Sequence, residues 1–200
     1  MSGDRYRTIG EAGEGLLREK ASKFLGFAFH IDDEADFEDH RAAIARAHHT
    51  SRHVCYAWVL GEGSDRHRAN DAGEPTGTAG RPILQHIQGA RLKYSAVVVV
   101  RYFGGTLLGK GGLVQAYGGA AKLALANATV VEHVICTALS ITCTYAQLDA
   151  VRQDVTRCEG RILEAAYGDP CMLRIAIAQG NVIAFIARWE FAGVAVTRIS

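Results

Sequence analysis

VVVVRYFGGTLLGKGGLVQAYGGAAKLAL, residues Val97–Leu125, decides how the rest of the chain is read. Four consecutive valines without polar alternation imply a central strand covered on both faces, here placed over Ser95–Phe103. A glycine-rich turn, Gly104–Gly112, follows and opens a helix that runs to about Ala128. The small residues Gly118, Gly119, Ala120 and Ala121 predict close packing of that helix on a sheet. Gly104 to Lys110 satisfies G-x-x-x-x-G-K, yet a phosphate loop next needs Ser or Thr for magnesium, and Gly111 stands there. Such a loop also needs an acidic partner at the end of another strand. No acid lies between Glu74 and Glu132. Two readings of the turn remain: backbone amides that hold an anion without hydrolysing it, or a tight bend that needs glycine backbones.

Outward from this segment, SKFLGFAFHI (Ser22–Ile31) alternates as a strand. Asp32 or Asp33 caps a helix running to about His49, with acids crowding its first turns where the helix dipole favours them. Residues 32–39 hold six acids in eight positions, and this capping role explains them without chemistry. His53–Leu60 is a further strand. A long polar loop, GEGSDRHRANDAGEPTGTAG, leads into a short helix beginning near Arg81, with Pro82 in its first turn. Beyond Thr129, Ala138–Thr144 reads as a strand and Tyr145–Gly160 as a helix with its terminator. Arg161–Tyr167 and Cys171–Ala178 read as strands, Asn181–Phe191 as a helix and Val194–Ile199 as a last strand. The order βαββαβ is that of a ferredoxin-like domain. The boundary falls near residues 130–136, dividing the chain into 1–132 and 133–200.

Composition narrows the class. With 48% hydrophobic residues, 22% charged residues and a net charge of +1, the chain reads as ordinary globular material. No apolar run reaches the ~18 residues of a membrane span, and the first fifteen residues lack a signal-peptide core. A cytoplasmic location without membrane partners is expected. Five scattered cysteines with no C-x-x-C pair argue against a disulfide framework or a structural zinc site. The charge is nevertheless sorted. The acid-free stretch holds Arg81, Arg91, Lys93, Arg101, Lys110 and Lys122, either a basic face for an anion or charges scattered over the surface.

Three constellations carry candidate chemistry. Arg101-Tyr102-Phe103 either pairs with phosphate while a ring stacks on a base, or places Phe103 in the core and Arg101 on an acid such as Glu74. Asn70–Arg81 is the densest polar cluster. Its Asp71 and Glu74 either bind a metal or act as acid and base, or hydrogen-bond to loop amides and hold the loop's shape. His48, His49 and His53 fit no standard metal spacing.

Together these strings resemble the YigZ/IMPACT family. NDAGEPTGTAGRPIL is similar to the family's D-D-G-E-P-S-G-T-A-G-x-P-I-L segment, and VVVVRYFGGTLLGKGGLVQAYGGAA to its V-V-V-x-R-Y-F-G-G-x-x-L-G-x-G-G-L-x-x-A-Y segment. The departures are Asn70-Asp71-Ala72, where the family usually shows Asp-Asp, and Thr76 in place of Ser. The resemblance implies an α+β protein of two domains. The N-terminal one would be ribosomal protein S5 domain 2-like. The C-terminal one would be ferredoxin-like, similar to the last domain of elongation factor G. It also implies that Lys110 makes a chance look-alike of a phosphate loop. The expected function is therefore non-catalytic binding of RNA or the ribosome that modulates translation, with a protein partner in translation control as a further expected partner. Arg81, Lys93, Arg101 and Lys110 would contact phosphate, with Tyr102 stacking and the amides of Gly104, Gly105, Gly111 and Gly112 forming an anion cradle. Asp71, Glu74, Thr76 and Thr78 would shape the groove beside them. No cofactor, metal or catalytic residue is assigned. The rival readings are a nucleotide- or phosphometabolite-binding enzyme, with Asp71 or Glu74 on metal and Lys110 on phosphate, and a protein-interaction module.

Overall fold

The computed structural model describes residues 4–61 and 66–199. The chain divides into two compact units, one spanning Tyr6–Glu132 and one running from His133 onward together with Asp4 and Arg5.

The first unit is built on a five-stranded sheet. Its elements in chain order are β1 (Arg5–Glu11), β2 (Gly13–Glu19), β3 (Ser22–His30), α1 (Glu34–Ala47), β4 (His53–Leu60), β5 (Arg66–Asn70), α2 (Gly80–Gly89), β6 (Ser95–Tyr102), α3 (Gly109–Asn127) and β7 (Thr129–Val134). The sheet order is β2-β3-β6-β4-β5, and β1 pairs with β7 separately. Every neighbour within the five-stranded sheet is antiparallel.

The valine run of β6 is central, and all four valines are fully buried. Val97 and Val99 face the core shared with α2 and α3, while Val98 and Val100 face the core on the other side. Burying each contributes roughly 1.5–3 kcal/mol, which makes β6 the spine of the unit. On the second face α1 inserts Phe37 against Tyr56 and Trp58. Asp33 caps α1 by accepting the Asp36 N–H at 2.9 Å, as the acidic run predicts.

Glycines explain how close α3 lies to the sheet. A Cβ on Gly13, Gly15 or Gly26 would meet α3 backbone atoms at 2.3–2.6 Å. Helix and strand therefore meet backbone to backbone, with Ala120 and Ala124 on the helix side.

The polar loop expected from 61 to 80 is shorter than anticipated. Residues 62–65 lie outside the described residues, and Arg66–Asn70 form β5, an edge strand paired with β4. Its side chains are exposed or half-buried, so it carries no apolar alternation to betray it. The glycine turn is also shorter, because α3 already begins at Gly109. Lys110, Gly111 and Gly112 thus form the first turn of the helix.

The second unit contains β8 (Cys136–Cys143), α4 (Tyr145–Arg157), β9 (Arg161–Ala166), β10 (Cys171–Ala178), α5 (Val182–Phe191) and β11 (Ala195–Arg198). Its antiparallel sheet runs β11-β8-β10-β9. Leu139, Ile141, Leu173 and Ile175 pack against Val151, Val155 and Phe185 from the two helices. Buried Asp154 on α4 accepts from the guanidinium of Arg188 at 2.5 Å and from the indole N–H of Trp189 at 2.8 Å, and also from Arg157. Asp4 and Arg5 also belong to this unit. Asp4 accepts the Ile135 N–H on its carbonyl and the Gly180 N–H on its carboxylate, at 2.6 and 2.9 Å, and Arg5 pairs with Glu159.

Among the described residues, no helix is long and apolar enough to cross a membrane. None of their His, Cys, Asp and Glu side chains form a group of three or more placed to hold a metal ion.

Candidate functional site

The first unit carries a cleft of about 410 Å³ where the end of β6, the start of β4, the Asp71–Gly80 loop and the start of α3 converge. The antiparallel register sets Arg101 on β6 directly opposite His53 on β4, so both point to this face. The loop is held from below by Asp71. Its carboxylate accepts the N–H groups of Gly77, Ala79 and Gly80 at 2.9, 2.9 and 2.8 Å. Burial works against the Asp71 charge, but these three donors together hold the carboxyl below the usual carboxylate value. Since Ala79 and Gly80 begin α2, Asp71 also satisfies the orphan amides of that helix from outside it.

Glu74 is the floor of the cleft. Its Oε1 accepts from Arg101 Nη1 at 2.6 Å and from the Tyr117 hydroxyl at 2.7 Å. The Arg101 and Glu74 side chains are only 7% and 4% exposed. His53 donates Nδ1–H to the Ala72 carbonyl at 2.8 Å, which turns Nε2 toward Glu74 at 4.0 Å. Cys55 lies beneath, donating to the Asp71 carbonyl at 3.0 Å. Burial pushes its thiol up to about 12 and pushes the Tyr117 phenol above its ordinary value too. Both groups are neutral and serve as structure.

The walls are different in kind. Arg52 and Lys110 are exposed, as are Phe103 and Leu107. No side-chain hydrogen bond caps α3, its first turn holds no acid, and its N-terminus opens at Gly109 and Lys110. The Nε of Arg101 is buried without a partner among the described residues.

The residues expected from sequence are therefore redistributed. Lys110 lines the cleft, and Gly111 and Gly112 sit in the helix turn beside it. Arg101 belongs to the cleft, but its guanidinium is committed to Glu74, so the ion-pair reading of this arginine is the one realised. Tyr102 is not its neighbour in function. Successive strand residues face opposite sides of a sheet, and Tyr102 packs on the α1 face, where its hydroxyl meets His48 Nδ1 at 2.9 Å. The aromatic ring at the cleft is Phe103, 5.4 Å from the Arg101 guanidinium and 43% exposed, so it is not core. Lys93 precedes β6 and Arg101 lies near its far end, about 25 Å away at the usual rise per strand residue. Arg81 is exposed on α2 and does not line the cleft. Thr78 donates to the Pro75 carbonyl at 2.7 Å within the loop, and Thr76 is exposed.

The glycines of the turn also differ in purpose. Gly105 has a φ of 86° and needs no room, while a Cβ on Gly104 would collide with the Ala21 backbone at 2.0 Å. Gly111 has neither restriction: open space surrounds it, and its φ is not in the left-handed region. Arg52 and His53 were not assigned from sequence. Their signal was the position of β4 beside β6, which only strand pairing reveals.

Residues 20–125, enclosing all of this cleft, match the family profile of the Impact N-terminal domain. The chain belongs to the IMPACT family. The IMPACT family member YigZ of Escherichia coli strain K12 is 36% identical over 171 residues, covering 84% of each chain. The IMPACT family member YvyE of Bacillus subtilis strain 168 is 32% identical over 180 residues, covering 90% of this chain and 83% of that one. A crystal structure described as that of a hypothetical protein is similar with a TM-score of 0.71, at 30% identity and 98% coverage of both chains. The cleft residues of this IMPACT family chain from Arg52 to Leu113 thus all lie inside the family's own domain.

Proposed function

We propose that this chain is a non-catalytic RNA-binding protein that acts on translation, and that the cleft at the start of α3 holds a phosphate of the RNA. One observation carries the reading: a nineteen-residue helix without acid or side-chain cap opens onto a cleft walled by Arg52 and Lys110. Aligned peptide dipoles and unsatisfied N–H groups at such an end attract anions. The Nε of Arg101 adds a buried donor that has no partner among the described residues. Gly111 supports the same reading. No packing or backbone angle demands glycine there, and glycine is costly in a helix, so close approach of a ligand to the backbone is its remaining use.

Binding is favoured over catalysis because the carboxylates are occupied. Asp71 is engaged by three backbone amides and Glu74 Oε1 by Arg101 and Tyr117, which commits both side chains to holding the loop. The exposed rings and aliphatic side chains at the mouth, Phe103 and Leu107, suit bases rather than a small charged metabolite. The translation setting rests on the domain reading: a first domain of the ribosomal protein S5 domain 2 type over 1–132, and a ferredoxin-like one over 133–200. The strand order β11-β8-β10-β9 supports the latter.

The test is binding of a fluorescent structured RNA at about 50 and 200 mM salt, the range over which phosphate-dominated complexes weaken steeply. Arg52→Ala/Lys110→Ala is expected to weaken binding and flatten the salt dependence by roughly 0.7–0.9 in logarithmic slope, the share of one phosphate. Absence of binding by the unaltered protein at low salt would refute the proposal. Magnesium-dependent thermal stabilisation by a nucleotide would replace it with the enzyme reading.

A further inference from the structure

A second cavity, of about 480 Å³, lies on the opposite face of the same sheet and shares Phe103 with the cleft. It is lined by Leu16, Arg18, Lys23, Leu25, Tyr102 and Phe103, with Ala21 at the turn between β2 and β3. Strand register arranges three of these side chains in one row. Arg18 stands directly opposite Lys23, and Lys23 directly opposite Tyr102. Cross-strand partners share a face, and neighbouring strands lie about 4.8 Å apart, so the row spans roughly 10 Å.

This row is poor design for stability alone. Like charges set directly opposite on a sheet destabilise it, and neither Arg18 nor Lys23 has an acidic partner among the described residues. The acid on β2 that shares their face, Glu14, lies four residues from Arg18, about 13 Å along the strand. Glu19 points to the other side. Two unpaired cations beside a half-buried tyrosine and an exposed Leu16 call for an anion that also carries flat apolar surface. Single-stranded nucleic acid has both properties.

We infer that a single-stranded RNA seated by one phosphate in the α3 cleft continues over the edge of Phe103 and lays its next phosphates along Arg18 and Lys23, with a base against Tyr102. The inference rests on the RNA-binding reading of the cleft and extends it to a path. Phe103 is the point where the two surfaces meet, since its ring borders both cavities. The path gives Tyr102 the stacking role expected from sequence, at a different surface from Arg101.

The test uses fluorescence anisotropy with two unstructured probes, an oligouridylate of about four nucleotides and one of about twelve. Arg18→Ala/Lys23→Ala is expected to leave the short probe within twofold of the unaltered protein. It should weaken the long one about tenfold and lower its salt slope by about 1.4, two phosphates at 0.7 each for a single strand. Arg52→Ala/Lys110→Ala should weaken both probes. Removing the like-charged pair relieves repulsion, so an unchanged or raised thermal midpoint shows that the variant is folded. If the long probe binds Arg18→Ala/Lys23→Ala with unaltered affinity and slope while the cleft variant weakens it, the path is wrong and the cleft stands. If the unaltered protein binds neither probe, the single-stranded path falls, and the cleft reading stands or falls on the structured RNA.

Discussion

Replacing Glu74 by alanine should unfold the first unit more readily than any change at the cleft's walls. The Arg101 guanidinium would be left 7% exposed with no counter-charge, and an uncompensated buried charge of this kind costs about 3–5 kcal/mol. Tyr117 would lose the acceptor of its buried hydroxyl, adding on the order of 1 kcal/mol. A total near 4–6 kcal/mol is a large fraction of the 5–15 kcal/mol typical of a domain. Each unit carries one of the two tryptophans, Trp58 in the first and Trp189 in the second. Urea unfolding followed by Trp58 fluorescence in a Trp189→Phe background therefore reports the first unit alone. At a slope of about 1.5–2 kcal/mol per molar urea, the midpoint should fall by roughly 2–4 M. Glu74→Leu/Arg101→Met, which removes both charges and fills the space, should recover most of the loss. A drop below about 1 kcal/mol for Glu74→Ala would refute the reasoning, because it would mean that water already screens the pair.

Other outcomes follow from the same geometry. Gly104→Ala should destabilise by about 1–3 kcal/mol through collision with the Ala21 backbone. Gly111→Ala should raise stability by up to about 1 kcal/mol while lowering RNA affinity, and thermal melts beside binding curves would show the opposed signs. Asp71 and Asp154 both have folded pKa values below the ordinary 3.8. Their contribution is complete above that value and is lost as pH falls through the lower folded one. Asp71→Asn should flatten the acid limb of the Trp58 transition, and Asp154→Asn that of Trp189. Of the five cysteines, four are buried and Cys136 is half-buried. Thiol labelling of the native protein at pH 8 should modify Cys136 first, and Cys55, held near 12, only on unfolding.

Periodic apolar segments were legible before any coordinates. The bounds of β4 match those read from HVCYAWVL, and those of β3, β6 and α4 differ by a residue or two. Capping chemistry at Asp33 was legible for the same reason: it is local. β1, β2, β5 and β7 were not. RYRTIGE and GEGLLRE are polar or glycine-rich because β1 and β2 are largely exposed, and because α3 needs glycine rather than side chains beneath it. At the site, the loop held by Asp71 could be anticipated, since carboxylates near glycine amides form such turns. The partner of Arg101 lies 27 residues away, and sequence left it between Glu74 and a phosphate. Strand alternation could have separated Tyr102 from Arg101, because adjacent strand residues cannot share a face. The part played by Arg52 and His53 depended on which strand lies beside β6, a matter of sheet order that no local pattern encodes.

Asp4 and Arg5 belong, by their hydrogen bonds and ion pair, to the unit built from residues 133 onward. Proteins are made from the N-terminus at about 5–20 residues per second. These two residues therefore emerge well before their partners, and Ile135, Glu159 and Gly180 follow on the order of ten seconds later. Through that interval the nascent chain can assemble Tyr6–Glu132 while Ile135, Glu159 and Gly180 are still to come. The residues beyond 132 must then capture Asp4 and Arg5, so folding of the second unit closes a loop that runs through the whole of the first. A fragment stopping at residue 132 would lack Ile135, Glu159 and Gly180, and one beginning at residue 133 would lack a piece of its own fabric.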